Sequence, residues 1–406
     1  MFPHLLSDKL LPSIQSTFSA IFLNGPQNLQ ALSGRTNVNT LNLQDWTYSS
    51  SASSLPADAS ASPKSTAPHG ELRRLLEHNH LMDRQPVYFA GKMAVNSLLW
   101  FSGMVIILRV HSIWLQLAVA CYLAFVSLQI GFLVHDAGHQ HVCNKRWKNT
   151  LVGLIYANLL LGLSFSWWVT KHNQHHGKPN QPHSDPDLDF TFLAVTEEDA
   201  LAKKGFVRFL VNWQAYFFFP FLFLEIFSLK LESWWFLWRK GTQNRLTELV
   251  LLILHYAAYG LLLIHFLGPG RALMVALVYN ALFGFSLSMV FSTNHLGRPL
   301  LPKNAEVDFL TRQVVTARNL RAHWLTDYCF GLLGCQIEHH LFTTIPRNKL
   351  RSAQRIVRPF CELYGIDYHE TGVWQCYREV LCHLNRVSRA SRKSIEGDGY
   401  GQSNGN

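Results

Sequence analysis

The chain has 406 residues, of which 48% are hydrophobic, 13% aromatic and only 15% charged, against roughly 25% charged in an average soluble protein. Its apolar residues fall in long uncharged runs between His-rich and Lys/Arg-rich connectors, which excludes an ordinary soluble multidomain enzyme and indicates an all-α membrane protein. A formal net charge of +10 suits anionic lipid headgroups or a phosphorylated substrate, and equally a solvated basic face; no nucleic-acid partner is implied.

In chain order, residues 1–80 are polar, Ser/Ala/Pro-rich between 47 and 69, and without a sustained period. They are read as a mostly disordered extension. The apolar stretch at 18–23 is too short for the core of a signal peptide. Residues 81–390 form the membrane domain, with apolar runs at 93–108, 114–134, 151–169, 209–224, 249–267 and 272–293. Crossing the hydrocarbon core takes about 20 apolar residues. The runs at 114–134 and 272–293, free of Asp, Glu, Lys, Arg and His, meet that requirement, and 249–267 nearly does. Lys92 and Arg109 can snorkel at the ends of 93–108 and lengthen it. The short connectors 109–112 and 268–271 then close two antiparallel hairpins. They hold only Arg109 and Arg271 of the 36 Lys and Arg, so the positive-inside rule turns the hairpin tips away from the cytosol and leaves both termini in it. Residues 391–406 read as a disordered tail. The seven cysteines are scattered without a CxxC pair, so neither a disulfide framework nor a zinc ribbon is expected.

Three histidine clusters carry the chemistry. HDAGH holds His135 and His139, HNQHH holds His172, His175 and His176, and QIEHH holds Gln336, His339 and His340. Spacings of three and four residues put such side chains on one face of a helix. Any one of these histidines would more often be an ordinary buried polar residue, but three clusters at helical spacing beside apolar runs argue against coincidence. Their number exceeds the three or four protein ligands of a zinc site. Imidazoles without thiolates point to two metals, with iron the redox-capable choice. Ligands must meet in one compartment, yet His139 and His172 flank the run at 151–169. That run is therefore expected to lie in the interface or re-enter rather than cross, and so is 209–224, which contains Pro220 and is followed by Glu225. The architecture that follows has four transmembrane helices in two hairpins, interfacial helices, and a cytosolic metal-binding cap.

HDAGH, HNQHH and QIEHHLF at these intervals resemble the integral-membrane fatty acid desaturase family over roughly residues 86–382. Finer likenesses are WWVTKHNQHH, DPDLD at 185–189, and RNLR with TDYCFGLLGCQIEHHLFTTIPR around the third cluster. The resemblance implies a non-haem diiron enzyme. Two Fe ions and O2 would introduce a C=C bond into a long-chain acyl-CoA or acyl-lipid, in the endoplasmic reticulum of a eukaryote or the inner membrane of a bacterium. Gln336 resembles the front-end and related branch, where the stearoyl-CoA branch has His; it would ligate metal, hold a water or orient a neighbour. By position, His295 after the last span is implied as an eighth histidine ligand, and Asn294 as a ligand through a water. Front-end enzymes often carry a fused cytochrome b5 domain with a His-Pro-Gly-Gly motif. None occurs in residues 1–85, so a separate electron donor is expected, either cytochrome b5 or ferredoxin with a reductase. Hydroxylases, acetylenases, epoxygenases and sphingolipid desaturases share these clusters. A metal transporter would need ionisable residues inside the spans at 114–134 and 272–293, and a zinc hydrolase would leave several imidazoles unexplained.

Asp136, Asp185, Asp187, Asp327 and Glu338 are expected to accept from the outer ring N–H of ligand imidazoles, solvated carboxylates being the plain alternative. Trp167 and Trp168, with Phe165 and Tyr156, are candidate walls of an acyl tunnel, or simply interface aromatics. Arg146, Lys148, Lys171 and Lys178 would meet coenzyme A phosphates if that is the carrier, and Arg347, Lys349 and Arg351 a lipid surface. His141, His183 and His323 read as supporting or surface residues. His255 and His265 lie in a span without an evident metal partner.

Overall fold

A computed structural model describes residues 67–190, 192–239 and 242–401. The expected disordered extension lies outside those residues up to 66. From there it is corrected: α1, Ala67–His78, is a helix whose Leu72 and Leu76 are fully buried. Those two leucines sit four apart on one face, and burial of that stripe holds the helix on the cap. The expected disordered tail is corrected likewise up to 401, residues 402–406 lying outside the described ones. The last helix runs Val373–Gly401, and its Ser391 is buried, because it packs on the segments around Ala200 and Val211.

Among the described residues, four helices are long and apolar enough to cross a membrane: α2, Pro86–Arg109; α3, Ile113–Gly138; a third, Arg245–Leu267; and a fourth, Pro269–Ser292. They make the two expected hairpins. Proline stands in the first turn of α2 and of the fourth span, where a missing N–H costs nothing. Leu98, Phe101, Val105, Leu261 and Ile264 are exposed on the outer surface of the bundle, as lipid-facing residues are. Lys92 falls inside α2 rather than before it, its ammonium lying over the rings of Tyr88 and Tyr328 at 5.9 and 5.8 Å.

Between the hairpins the chain folds back twice. Helix α4, Arg146–Gly153, widens into a π-helical stretch, Leu154–Leu161. The chain then turns at Gly162 into α5, Phe165–Gly177, a bend of 111°. Gly162 sits at φ +71, and a Cβ there would lie 2.5 Å from His255 Nε2, so only glycine fits. Around the turn, Glu248 accepts from Asn158 Nδ2 (3.0 Å), Ser164 Oγ (2.6 Å) and Ser166 N (3.3 Å). His255 Nδ1 reaches Leu159 O at 2.9 Å, and Tyr256 Oη donates to Gly162 O. The intramembrane His255 thus braces the bend. Further on come α6, Glu197–Ala202, and α7, Gly205–Asn212. They lead into α8, Gln214–Leu222, and α9, Glu225–Arg239, which are bent at 69° just after Pro220.

Past the last span lie α12, Phe309–Val315, α13, Trp324–Cys329, α14, Gln336–Leu341, and α15, Leu350–Leu363; the two spans of the second hairpin are α10 and α11, and the last helix is α16. A short parallel pair of strands, Asn319–Leu320 with Glu370–Thr371, ties this cap together. Its separate apolar core includes Leu72, Val314, Ile337, Leu350 and Val357.

Candidate metal centre

Each histidine cluster sits where a helix delivers it to one end of the bundle. His135 lies in the last turn of α3 and His139 caps it. His172, His175 and His176 are in the last turns of α5, Gln336, His339 and His340 make up half of α14, and His295 follows α11. Ser164 starts α5 by accepting from Trp167 N, which sets where that helix begins and so where its histidines end up.

The rings gather into two groups. In one, the ligand atoms of His135, His139, His172 and His339 all lie within 4.8 Å of one another. His176 joins it, with Nε2 3.0 Å from His172 Nε2 and 3.1 Å from His339 Nε2. In the other, His175, His295 and His340 converge within the same limit, with His295 and His340 Nε2 3.0 Å apart. Gln336 Nε2 is 3.1 Å from His295 Nε2. Because successive helical residues are rotated by about 100°, His172 and His176 face the first group while His175 faces the second.

The second group tests whether a cation fits. His295 Nδ1 lies 2.9 Å from Thr316 O, His340 Nδ1 2.9 Å from Gln313 Oε1, and His175 Nδ1 3.0 Å from both Asp185 oxygens. Those acceptors claim the Nδ1 protons, so in the neutral rings each Nε2 carries a bare lone pair. Bare lone pairs facing each other at 3.0 Å repel; a shared cation turns the repulsion into coordination. The imidazole donor set fits a divalent transition-metal ion, iron among them. Burial away from water, reinforced by neighbouring imidazoles, holds His139, His172, His176, His339 and His340 well below the usual imidazole value and pushes His295 down to about 3. These rings are neutral and able to ligate. At His175 burial acts the same way, but the carboxylates of Asp187 and Asp185 outweigh it and raise its value.

The cluster and the fold meet their counterparts in known sequences. The sequence profile described as fatty acid desaturase matches residues 112–372, which include all eight histidines. The chain belongs to the fatty acid desaturase family. It is 31% identical over 331 residues to the acyl-lipid (9-3)-desaturase of Physcomitrium patens, covering 79% of this chain and 62% of that one. To the Delta(5) fatty acid desaturase fat-4 of Caenorhabditis elegans it is 30% identical over 344 residues, covering 80% and 75%. The Delta 8-(E)-sphingolipid desaturase of Lachancea kluyveri is 28% identical, over 66% of this chain and 51% of its own.

Around the histidines this desaturase departs from several sequence expectations. Asp185 meets its imidazole, and Asp187 lies 3.5 Å from the same Nδ1. Asp136 does not orient a ring. Its carboxylate is taken by Arg347 through three contacts of 2.8 to 3.1 Å, while the Nδ1 atoms of His135 and His141 stay 3.9 and 3.8 Å away. Arg347, expected at a lipid surface, is buried in that pair with its guanidinium over Phe132. Asp327 pairs with Arg351 and Glu338 accepts from Asn319 and Tyr368, so neither touches an imidazole. These two carboxylates instead fasten the cap that carries α14. Arg146, Lys148 and Lys178 are exposed, as are His183 and His323.

Two supports had little or no local sequence signal. Gln313 accepts from His340 and donates from Nε2 to His176 O, joining the two groups. Arg318, which lies in the RNLR stretch, is fully buried and donates to Thr293 O and Leu296 O, clasping the loop that presents Asn294 and His295.

Beneath the imidazoles lies a cavity of about 200 Å³. Its wall is largely apolar, from Leu161, Trp167, Phe218, Phe283 and Leu287, and its polar edge includes His135, His172, His175, His295 and Gln336. Trp168 stacks on His172 with centroids 4.6 Å apart. A Cβ on Gly138 would meet Trp168 at 2.3 Å, which explains the glycine in the first cluster. Tyr156 and Phe165 belong elsewhere: Tyr156 bonds Ser97, and Phe165 packs on Gly153.

Proposed function

We propose that this chain is a front-end desaturase that uses two iron ions and O2 to introduce a C=C bond into a long acyl chain. The observation that carries the reading is two groups of convergent imidazoles on the edge of a largely apolar cavity. His135, His139, His172, His176 and His339 would hold one iron. His175, His295 and His340 would hold the other, with Gln336 and, through a water, Asn294 beside them. Bound iron would supply the redox chemistry that activates O2.

The protein's own contribution is position and dryness. Two hydrogens leave adjacent methylenes and O2 is reduced to two waters, with two electrons from the substrate and two from a donor. The apolar wall excludes bulk water, and Trp168, fixed on His172, bounds the acyl chain where it passes the imidazoles. At 200 Å³ the cavity is smaller than the roughly 300–1,000 Å³ of drug-sized pockets, as suits a slender hydrocarbon. Gln336 and the similarity to the Delta(5) and (9-3) desaturases support oxidation counted from the carboxyl end. The carrier would be an acyl-lipid or acyl-CoA, and the donor cytochrome b5 or ferredoxin with a reductase. The metal face and the chain ends would lie on the cytosolic side.

Expression in a host of known lipid profile, followed by locating new double bonds, tests the proposal. His339→Ala and His175→Ala should abolish the product while the protein stays in the membrane fraction, and metal analysis should find two irons per chain. An oxygenated product without an unsaturated one, or one zinc and no iron, overturns it.

A further inference from the structure

Most polar groups on the cavity wall serve the imidazoles. Asp185 bonds His175, Gln336 contacts His295, and Asn180 donates to His295 O. Two residues stand apart. Ser288, in α11, is 6% exposed and lines the cavity, and its hydroxyl has no hydrogen-bond partner among the described residues. A helical serine can usually return its proton to a carbonyl one turn back, and a buried hydroxyl left unmade costs free energy. Glu225, in the first turn of α9, also lines the cavity, with Lys171, Glu232 and Asp187 as its charged neighbours. The two are neighbours by construction. A Cβ on Gly284 would lie 3.0 Å from Ile226 N, so the start of α9 abuts α11 there. Ser288 is one turn along on the same face of α11.

We propose that Ser288 and Glu225 form a station for the uncharged carbonyl of the acyl linkage, ester or thioester, and so set the position of the double bond. The inference rests on the desaturase reading above. Ser288 donates its hydroxyl to the carbonyl oxygen. Burial pushes the Glu225 carboxyl up to about 7, so that it too has a proton to donate near neutrality. The surroundings select against charge. Lys171 is already held between Asp187 at 3.6 Å and Glu232 at 3.7 Å, so these carboxylates leave the patch net negative. A free carboxylate or a phosphate is repelled, and a neutral carbonyl is not. Ser288 lies four residues, about 6 Å at 1.5 Å per helical residue, before the end of α11 at Ser292, and His295 follows in the turn beyond. That is the length of a short run of methylenes, and holding the carbonyl there counts carbons from the carboxyl end.

The test reads binding, independently of turnover. Full-length protein in detergent is titrated with a long-chain methyl ester and with the alkane of equal length, each in competition with a fluorescent acyl probe. Wild type should prefer the ester by at least tenfold, and in Ser288→Ala and Glu225→Leu, each of which removes a donor, the preference should fall below threefold. Ser288→Thr, which keeps the hydroxyl, should restore it. A phospholipid and a coenzyme A thioester, added as separate arms, show which linkage profits more. Equal affinity for ester and alkane in wild type, or an undiminished preference in both variants, overturns the station. Loss of product without loss of the ester preference counts against the oxidative reading instead.

Discussion

In the group of His175, His295 and His340, every ring hands its Nδ1 proton to a fixed acceptor, whereas His135 and His176 in the larger group are buried with no hydrogen-bond partner at Nδ1 among the described residues. The smaller group is oriented by the protein before any ion arrives. The larger one is held by the crowding of rings: His172 stacks on Trp168, and His176 stacks on His340 at 4.1 Å. Pre-oriented ligands pay less to bind, so the two metal positions should differ in how they are lost.

The largest effect is expected at the ring that joins the groups. His176 touches His172 and His339 and stacks on His340, so His176→Ala should lower product by at least about 100-fold and reduce iron below two per chain. Retention of both irons would show the groups to be independent. Next is the pair Asp136 and Arg347, which ties the end of α3 to the loop after α14. Arg347→Met strands a buried carboxylate and should cost about 3–5 kcal/mol of stability, read as a lowered melting temperature in detergent. Replacing Asp136 by Asn in the same protein should recover part of that loss. Asp185→Asn should cost about 10–100-fold in metal affinity or activity, and remove iron from the smaller group first. Equal loss from both positions would show that the two groups hold their ions alike. The smallest effect is expected from Asp327→Asn, which breaks a part-exposed pair with Arg351. It should change stability by no more than about 1 kcal/mol and leave the iron content unchanged.

The four spans and the three histidine clusters could be read in the sequence because hydrophobic run length and helical spacing are local properties. So could the re-entry at 151–169, since ligands on its two sides must meet; His139 and His172, with Nε2 atoms 2.9 Å apart, do so. The carboxylates were read less well. HDAGH places Asp136 beside His135 in the chain, but the last turn of α3 points the carboxylate at Arg347, 211 residues away. Asp327 and Glu338 are near the third cluster in sequence and serve its scaffold instead. Gln313 lies 27 residues from His340, in a stretch with no cluster of its own, and nothing local marks it.

By itself, then, the sequence determined the apolar, membrane-type character of the chain, its four candidate spans and which imidazoles come together, since all follow from pattern within a few turns of helix. Only the tertiary structure decided how those imidazoles divide into two groups and which acceptor fixes each ring. It also decided that Ser288 and Glu225 share one wall. Those relations depend on side chains from separate helices meeting at about 3 Å, and distance along the chain carries no record of that.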